Sequence, residues 1–160
     1  VSYLRDSLQV HNFIYAFSPD NLFRSEEEFL DRYPGDEWVD MLGMDNYGDF
    51  GRYGRYNVEA GYKKLKIVSD LARRKGKLAA FTETGLESIP NPVWWTDVLL
   101  KTLKRDLQLC YVLVWRNDTS SPTHYYAPFP GHGSAPDFMR FYEDPFTLFE
   151  KDLPALYKID

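Results

Sequence analysis

One cysteine, Cys110, stands in the 160 residues, so no internal disulfide can staple the fold. It lies in an apolar run and reads as a small buried hydrophobe. The three histidines, His11, His124 and His132, show no zinc-ligand spacing, and neither a metal nor a cofactor is called for. Positive charge is in deficit: 19 Lys and Arg face 24 Asp and Glu, a formal net charge of −5. A nucleic-acid partner, which wants a basic surface, is therefore not expected. No apolar run nears the roughly 20 residues that span a bilayer. Val1-Ser2-Tyr3-Leu4-Arg5-Asp6 has neither the basic start nor the apolar stretch of a signal peptide. Low-complexity tracts and short-period repeats are missing too, which leaves a single domain with its own core.

Aromatic residues are abundant, at 17% with 12 Tyr and 4 Trp. Sugar rings stack their apolar faces on aromatics, so this hints at carbohydrate; a large aromatic core accounts for it nearly as well. Along the chain, residues 1–10 read as the tail of a helix, 11–17 as a buried strand, and Ser25 with Glu28 as a capping box starting a helix to about Arg32. Residues 38–45 form a second strand, followed by a glycine-rich loop to Arg55. The clearest helix spans 57–75, with Val58, Tyr62, Leu65, Val68, Leu71 and Ala72 at three- and four-residue intervals and Gly76 as its stop. A third strand follows at 78–82, then a helix from Trp95 to about Gln108 and a fourth strand at 109–115. Residues 124–135 make a long aromatic loop, 138–142 and 147–151 short helical pieces, and 153–159 one further turn.

Strand and helix alternate four times, which implies a parallel sheet with crossover helices. Each strand ends in polar residues: Ser18 and Asp20, Asp45 and Tyr47, Glu83, then Arg116 and Asn117. Parallel α/β folds gather their chemistry at that end. Glu83 stands where its strand should run out, between two threonines able to donate hydrogen bonds, and is the candidate catalytic carboxylate. The same residue would serve as a helix cap or a solvated loop glutamate.

Four stretches carry a wider likeness: Gly-Met-Asp-Asn-Tyr (43–47), Phe-Thr-Glu-Thr-Gly (81–85), Trp-Arg-Asn (115–117) and His-Tyr-Tyr-Ala-Pro-Phe-Pro-Gly (124–131). In this order, each at a strand end, they resemble the carboxyl half of a glycoside hydrolase family 26 β-mannanase. The resemblance implies a parallel (β/α)8 TIM-type barrel of which residues 1–160 supply strands 5–8, the carboxyl half of the catalytic domain. It implies a retaining mechanism with Glu83 as nucleophile and Tyr47 as its hydrogen-bond partner. Trp115 would floor the −1 subsite, Arg116 would contact the −2 sugar, and Asp45 would bind substrate or position Tyr47 or Arg116. It also implies β-mannan or manno-oligosaccharide as the ligand and a secreted, cell-surface or periplasmic location.

A complete barrel of this kind needs about 250 residues. The family's general acid/base sits in a His-Glu pair after strand four, and no such pair exists here: His11 precedes Asn12, His124 precedes Tyr125, and His132 precedes Gly133. A second chain or segment carrying strands 1–4 and the acid/base is therefore expected. Two alternatives stay open. One is another β-glycan, such as a mixed-linkage glucan or β-1,3-xylan. The other is a sugar-binding protein without catalysis, using Trp115, Trp94 and Tyr125 as a platform. His124 and His132 read as loop-stabilising residues, and Arg116 as a partner for Asp118 or Asp45.

Overall fold

The computed structural model describes residues 1–154. Its helices begin where side chains take up free backbone N–H groups. Ser25 accepts from the N–H of Glu28 and opens helix α1, Glu26–Leu30. The Glu28 carboxylate accepts from the N–H of Arg24, one residue earlier than in a standard capping box. Helix α2, Val58–Lys75, starts at Asn57, whose side chain accepts from the N–H of Ala60. It stops at Gly76, which takes the left-handed conformation. Leu65, Val68, Leu71 and Ala72 are buried as the spacing predicts, with Gly61 beside them, whereas Val58 and Tyr62 are only partly covered. A wider-wound π-type run, Trp95–Leu100, tightens into helix α3, Lys101–Leu103. Helix α4 is Ala135–Glu143.

Five short strands lie between them: β1 Ala16–Phe17, β2 Met41–Leu42, β3 Leu78–Ala79, β4 Phe81–Thr84 and β5 Val112–Val114. All pair in parallel, as a three-stranded sheet β1-β2-β3 and a two-stranded sheet β4-β5. Only Ala80 separates β3 from β4, so residues 78–84 join the two sheets. On one side the N–H of Ala80 donates to the carbonyl of Leu42 at 3.0 Å; on the other, the N–H of Cys110 donates to Ala79 at 2.7 Å. The strands thus stand side by side in sequence order, all parallel, with helices crossing between them.

The regular segments are shorter than the sequence pattern suggests. Residues 11–15 are not strand, residues 36–38 form a 3₁₀ turn, and the helix after Pro92 ends at Leu103 rather than Gln108. Residues 147–151 are helical only from Glu150, as a 3₁₀ turn. The apolar runs are long because they are buried, and burial outlasts the hydrogen-bonded ladder. The turn expected over 153–159 lies outside the described residues from 155 on. Cys110 is exposed, against expectation. It precedes β5, whose outer edge has no strand partner among the described residues, so the apolar run 109–114 is covered on one side only. No helix among the described residues is long and apolar enough to cross a membrane.

Alternation along the strands separates two faces. Phe17, Leu42, Ala79, Phe81, Val112 and Val114 point at the helices and join the core with Leu65, Val68, Trp95 and Leu99. On the other face Ala16 is exposed, and Leu78, Tyr111 and Leu113 are 42%, 42% and 40% exposed. An apolar sheet face left open to water is the main irregularity of the fold.

Candidate active site

Glu83 lies inside β4 rather than beyond the strand end. Its neighbour across the sheet is Asp45, through an isolated parallel bridge. The pairing of β4 with β5 slips between Phe81 and Thr84: three residues of β4 span two of β5. Such a bulge breaks the strict alternation that would send Glu83 to the core side with Phe81. Its carboxylate instead meets the ring of the next loop: Tyr47 Oη donates to Glu83 Oε2 at 3.0 Å. Burial, and after it this hydrogen bond, push the Tyr47 phenol above its ordinary value of 10.0. The hydroxyl therefore stays a donor through the neutral range.

The flanking threonines do not serve Glu83. Thr82 Oγ1 pairs with Ser18 Oγ, and Thr84 Oγ1 donates to the carbonyl of Asn46 at 2.8 Å. Successive side chains of an extended chain diverge, which takes both hydroxyls away from the carboxylate between them. Asp45 accepts from Ser18 Oγ at 2.9 Å and makes no contact with Arg116. Gly43 is needed here, since a Cβ on it would lie 2.4 Å from Thr82 Cγ2.

The loop bearing Tyr47 is held from below by polar groups that sequence reasoning missed. Asn46 is fully buried. It accepts from Asn21 Nδ2 at 2.6 Å and from the N–H of Asp49 at 3.1 Å, and it donates to Asp49 Oδ2 at 2.8 Å. Lys64 of α2 pairs with the same Asp49 oxygen at 2.7 Å. The only outward sign was an Asn and an Asp three apart inside a glycine-rich loop. Tyr126 was missed as well. It is buried, its ring stands edge-on to Tyr47 at 6.0 Å, and a Cβ on Gly85 would come within 2.5 Å of it. Gly85 also takes φ +141, open only to glycine at low cost.

Trp115 is half-buried at the end of β5, its N–H donating to the carbonyl of Thr84 at 3.0 Å. Arg116 is exposed and pairs with Asp118 at 3.2 Å, the ion-pair alternative, and touches neither Glu83 nor Asp45. Asn117 fastens the aromatic loop, accepting from the N–H groups of Tyr126 at 2.8 Å and Ala127 at 3.0 Å. His124 meets Glu87 at 2.8 Å, and His132 meets Ser134 at 3.0 Å, both within loop contacts. Trp94 is fully buried, with Nε1 donating to the carbonyl of Phe50 at 2.8 Å. A fully buried ring cannot stack on a sugar, so Trp94 drops out of the platform imagined with Trp115 and Tyr125.

Fold and site together define a class: parallel α/β proteins whose polar chemistry gathers at the strand ends. Within it the chain belongs to glycosyl hydrolase family 26, whose sequence model matches residues 1–118. A mannan endo-1,4-β-mannosidase of Bifidobacterium adolescentis is 43% identical over 88 residues, which are 53% of this chain and 9% of that protein. The GH26 β-mannanase of Bacteroides ovatus superposes with a TM-score of 0.84 at 43% identity, covering 95% of this chain and 43% of that one. GH26C of a Muricauda species gives 0.89 at 43% identity, over 100% and 44%. An endo-β-1,4-mannanase of Cellulomonas fimi gives 0.83 at 31% identity, over 96% and 35%. The chain thus spans less than half the length of these structures.

Proposed function

We propose that these residues are the nucleophile-bearing part of a retaining β-1,4-mannan hydrolase, equivalent to strands 5–8 of a (β/α)8 barrel. The observation that carries the proposal is the Tyr47 Oη–Glu83 Oε2 hydrogen bond at the strand ends of a family 26 chain. A Glu83 oxygen attacks the anomeric carbon as the glycosidic C–O bond breaks. The departing oxygen takes a proton from an acid about 5–5.5 Å from Glu83. Water then attacks the glycosyl–enzyme ester, gives its proton to that same group, and frees Glu83. Tyr47 aims the carboxylate and takes up charge as the ester forms and breaks. Trp115 supplies an apolar floor for the ring at the reacting centre, and Arg116, released from Asp118, donates to the hydroxyls of the next sugar. Asp45 helps line that centre.

The acid/base and the other half of the barrel come from a segment outside these residues, in the same polypeptide or in a second chain. Support comes from the open β5 edge and from the exposed Leu78, Tyr111 and Leu113, which a closed barrel would cover. The mannanase names of the similar proteins favour β-mannan over other β-glycans. Glu83→Ala in the complete catalytic domain tests the core claim. Turnover on mannan should fall by several orders of magnitude, and azide should restore part of it with inverted product. Near wild-type turnover in that variant would overturn the proposal.

A further inference from the structure

The loops after β4 and β5 meet at a turn whose backbone is costly. Ser88 and Ile89, in succession, take φ of 58° and 40°, in the left-handed region. Neither is glycine, and Ile89 is β-branched and buried, so the turn persists only where its surroundings hold it. Each polar group of Ser88 is tied to the loop after β5. Its N–H donates to the carbonyl of Tyr125 at 2.8 Å, its hydroxyl donates to the carbonyl of Thr123 at 2.6 Å, and its carbonyl lies 3.2 Å from His132 Nε2.

The contacts of His132 fix its tautomer. The N–H of Ser134 can only donate, and it reaches Nδ1 at 3.1 Å. The Ser88 carbonyl can only accept, and it faces Nε2. His132 is therefore a neutral imidazole with its proton on Nε2: one nitrogen accepts within its own loop, the other donates across to the next. The rings of Tyr125 and Phe129 stand edge-on to it at 5.5 and 5.2 Å and keep it half-buried.

From this clamp the packing leads to the reacting pair. Ser88 lies three residues beyond Gly85, and Tyr125 adjoins Tyr126. The Tyr126 ring fills the space that a side chain on Gly85 would take, and it stands edge-on to Tyr47, whose hydroxyl holds Glu83. We infer that His132 is a positioning residue for the Tyr47–Glu83 pair. By clamping Ser88 it holds the strained turn, seats Tyr126 against Gly85 and backs the Tyr47 ring. The role rests on the proposed glycosidase function, because Tyr47 and Glu83 matter here as its reacting pair.

The test uses the complete catalytic domain and two isosteric replacements. In His132→Gln the side-chain amide stands where Nε2 stood and still donates to Ser88, while the bond from Ser134 is lost. In His132→Asn the side-chain carbonyl stands where Nδ1 stood and still accepts from Ser134, while Ser88 is released. On mannan, kcat should fall about tenfold in His132→Asn with KM within about twofold, and His132→Gln should recover most of that loss. In the Tyr47→Phe background His132→Asn should cost less than about twofold, because the route from Ser88 ends at the Tyr47 hydroxyl. Tyr126→Leu leaves the clamp intact and removes the ring behind Tyr47, so its kcat should also fall about tenfold. Equal kcat in His132→Asn and His132→Gln, additive losses with Tyr47→Phe, a loss confined to KM, or full kcat in Tyr126→Leu overturns the inference while the parent function stands. A wild-type domain that does not hydrolyse mannan overturns both.

Discussion

In the proposed chemistry Tyr47 steadies Glu83, and its hydroxyl can be tested apart from its ring. Tyr47→Phe keeps the edge-on contact with Tyr126 and removes the hydrogen bond to Glu83. The bond matters most while charge moves on and off the carboxylate, so kcat should fall roughly tenfold to a hundredfold with little change in KM. A change confined to KM would mean that the hydroxyl touches substrate instead. The direction of the phenol's shift gives a second check. Its folded pKa lies above the ordinary value, so the stability it confers is complete below about pH 10 and is lost as pH climbs beyond that. Urea titrations of wild type and Tyr47→Phe should therefore keep a constant difference from neutral pH to about 10, and that difference should narrow above it. Gly85 answers to sterics: Gly85→Ala demands a left-handed alanine and drives a methyl into Tyr126. A loss of about 2–3 kcal/mol in the urea midpoint analysis is expected, with Tyr126 displaced.

Among the elements, the loop after β2 depends on α2 in a way that helix periodicity does not disclose. Lys64 falls on the same side of α2 as the apolar stripe, and its ammonium reaches Asp49 with both side chains less than one-fifth exposed, at 17% and 15%. Lys64→Met would leave the Asp49 carboxylate shielded and without its cation. A destabilisation of about 2–3 kcal/mol is expected, together with a looser Tyr47 loop seen as lower kcat. Asp49→Asn should recover much of that loss in the double variant, since the amide still bonds to Asn46 without a charge to neutralise. Additive losses in thermal unfolding would show that the two residues act independently. The strand carrying Glu83 shows the converse limit. Alternation suffices to assign Phe81 to the core, but a bulge adds one residue just before the site, and nothing in Phe-Thr-Glu-Thr marks where.

Among the described residues one sheet face is covered and the other largely bare, and the strands at both ends of the order have no outer partners. Such surfaces favour association. These 160 residues expressed alone should self-associate in light scattering and show no hydrolysis of mannan. Adding the complementary half of the catalytic domain should give a one-to-one complex with restored turnover. A stable, monomeric and fully active 160-residue protein would refute the half-barrel assignment.

Local order was legible because it is written locally. Asn57, the spaced apolar residues and Gly76 bound α2 by capping and burial alone, and four apolar runs between helices require parallel strands. The same residues put Asp45, Tyr47 and Glu83 at one end of the sheet, since successive parallel strands all finish on the same side. Contacts between distant segments were not legible. That Thr82 turns to Ser18, that Trp94 is sealed against Phe50, and that Cys110 lies open all depend on which segments meet across space. One residue's sequence neighbours carry no record of those meetings. Residue types and spacing therefore determined which groups stand at the strand ends. Only the tertiary structure decided which of them touch, because direction at those ends is set by a bulge, two glycines and a buried asparagine–lysine network rather than by periodicity.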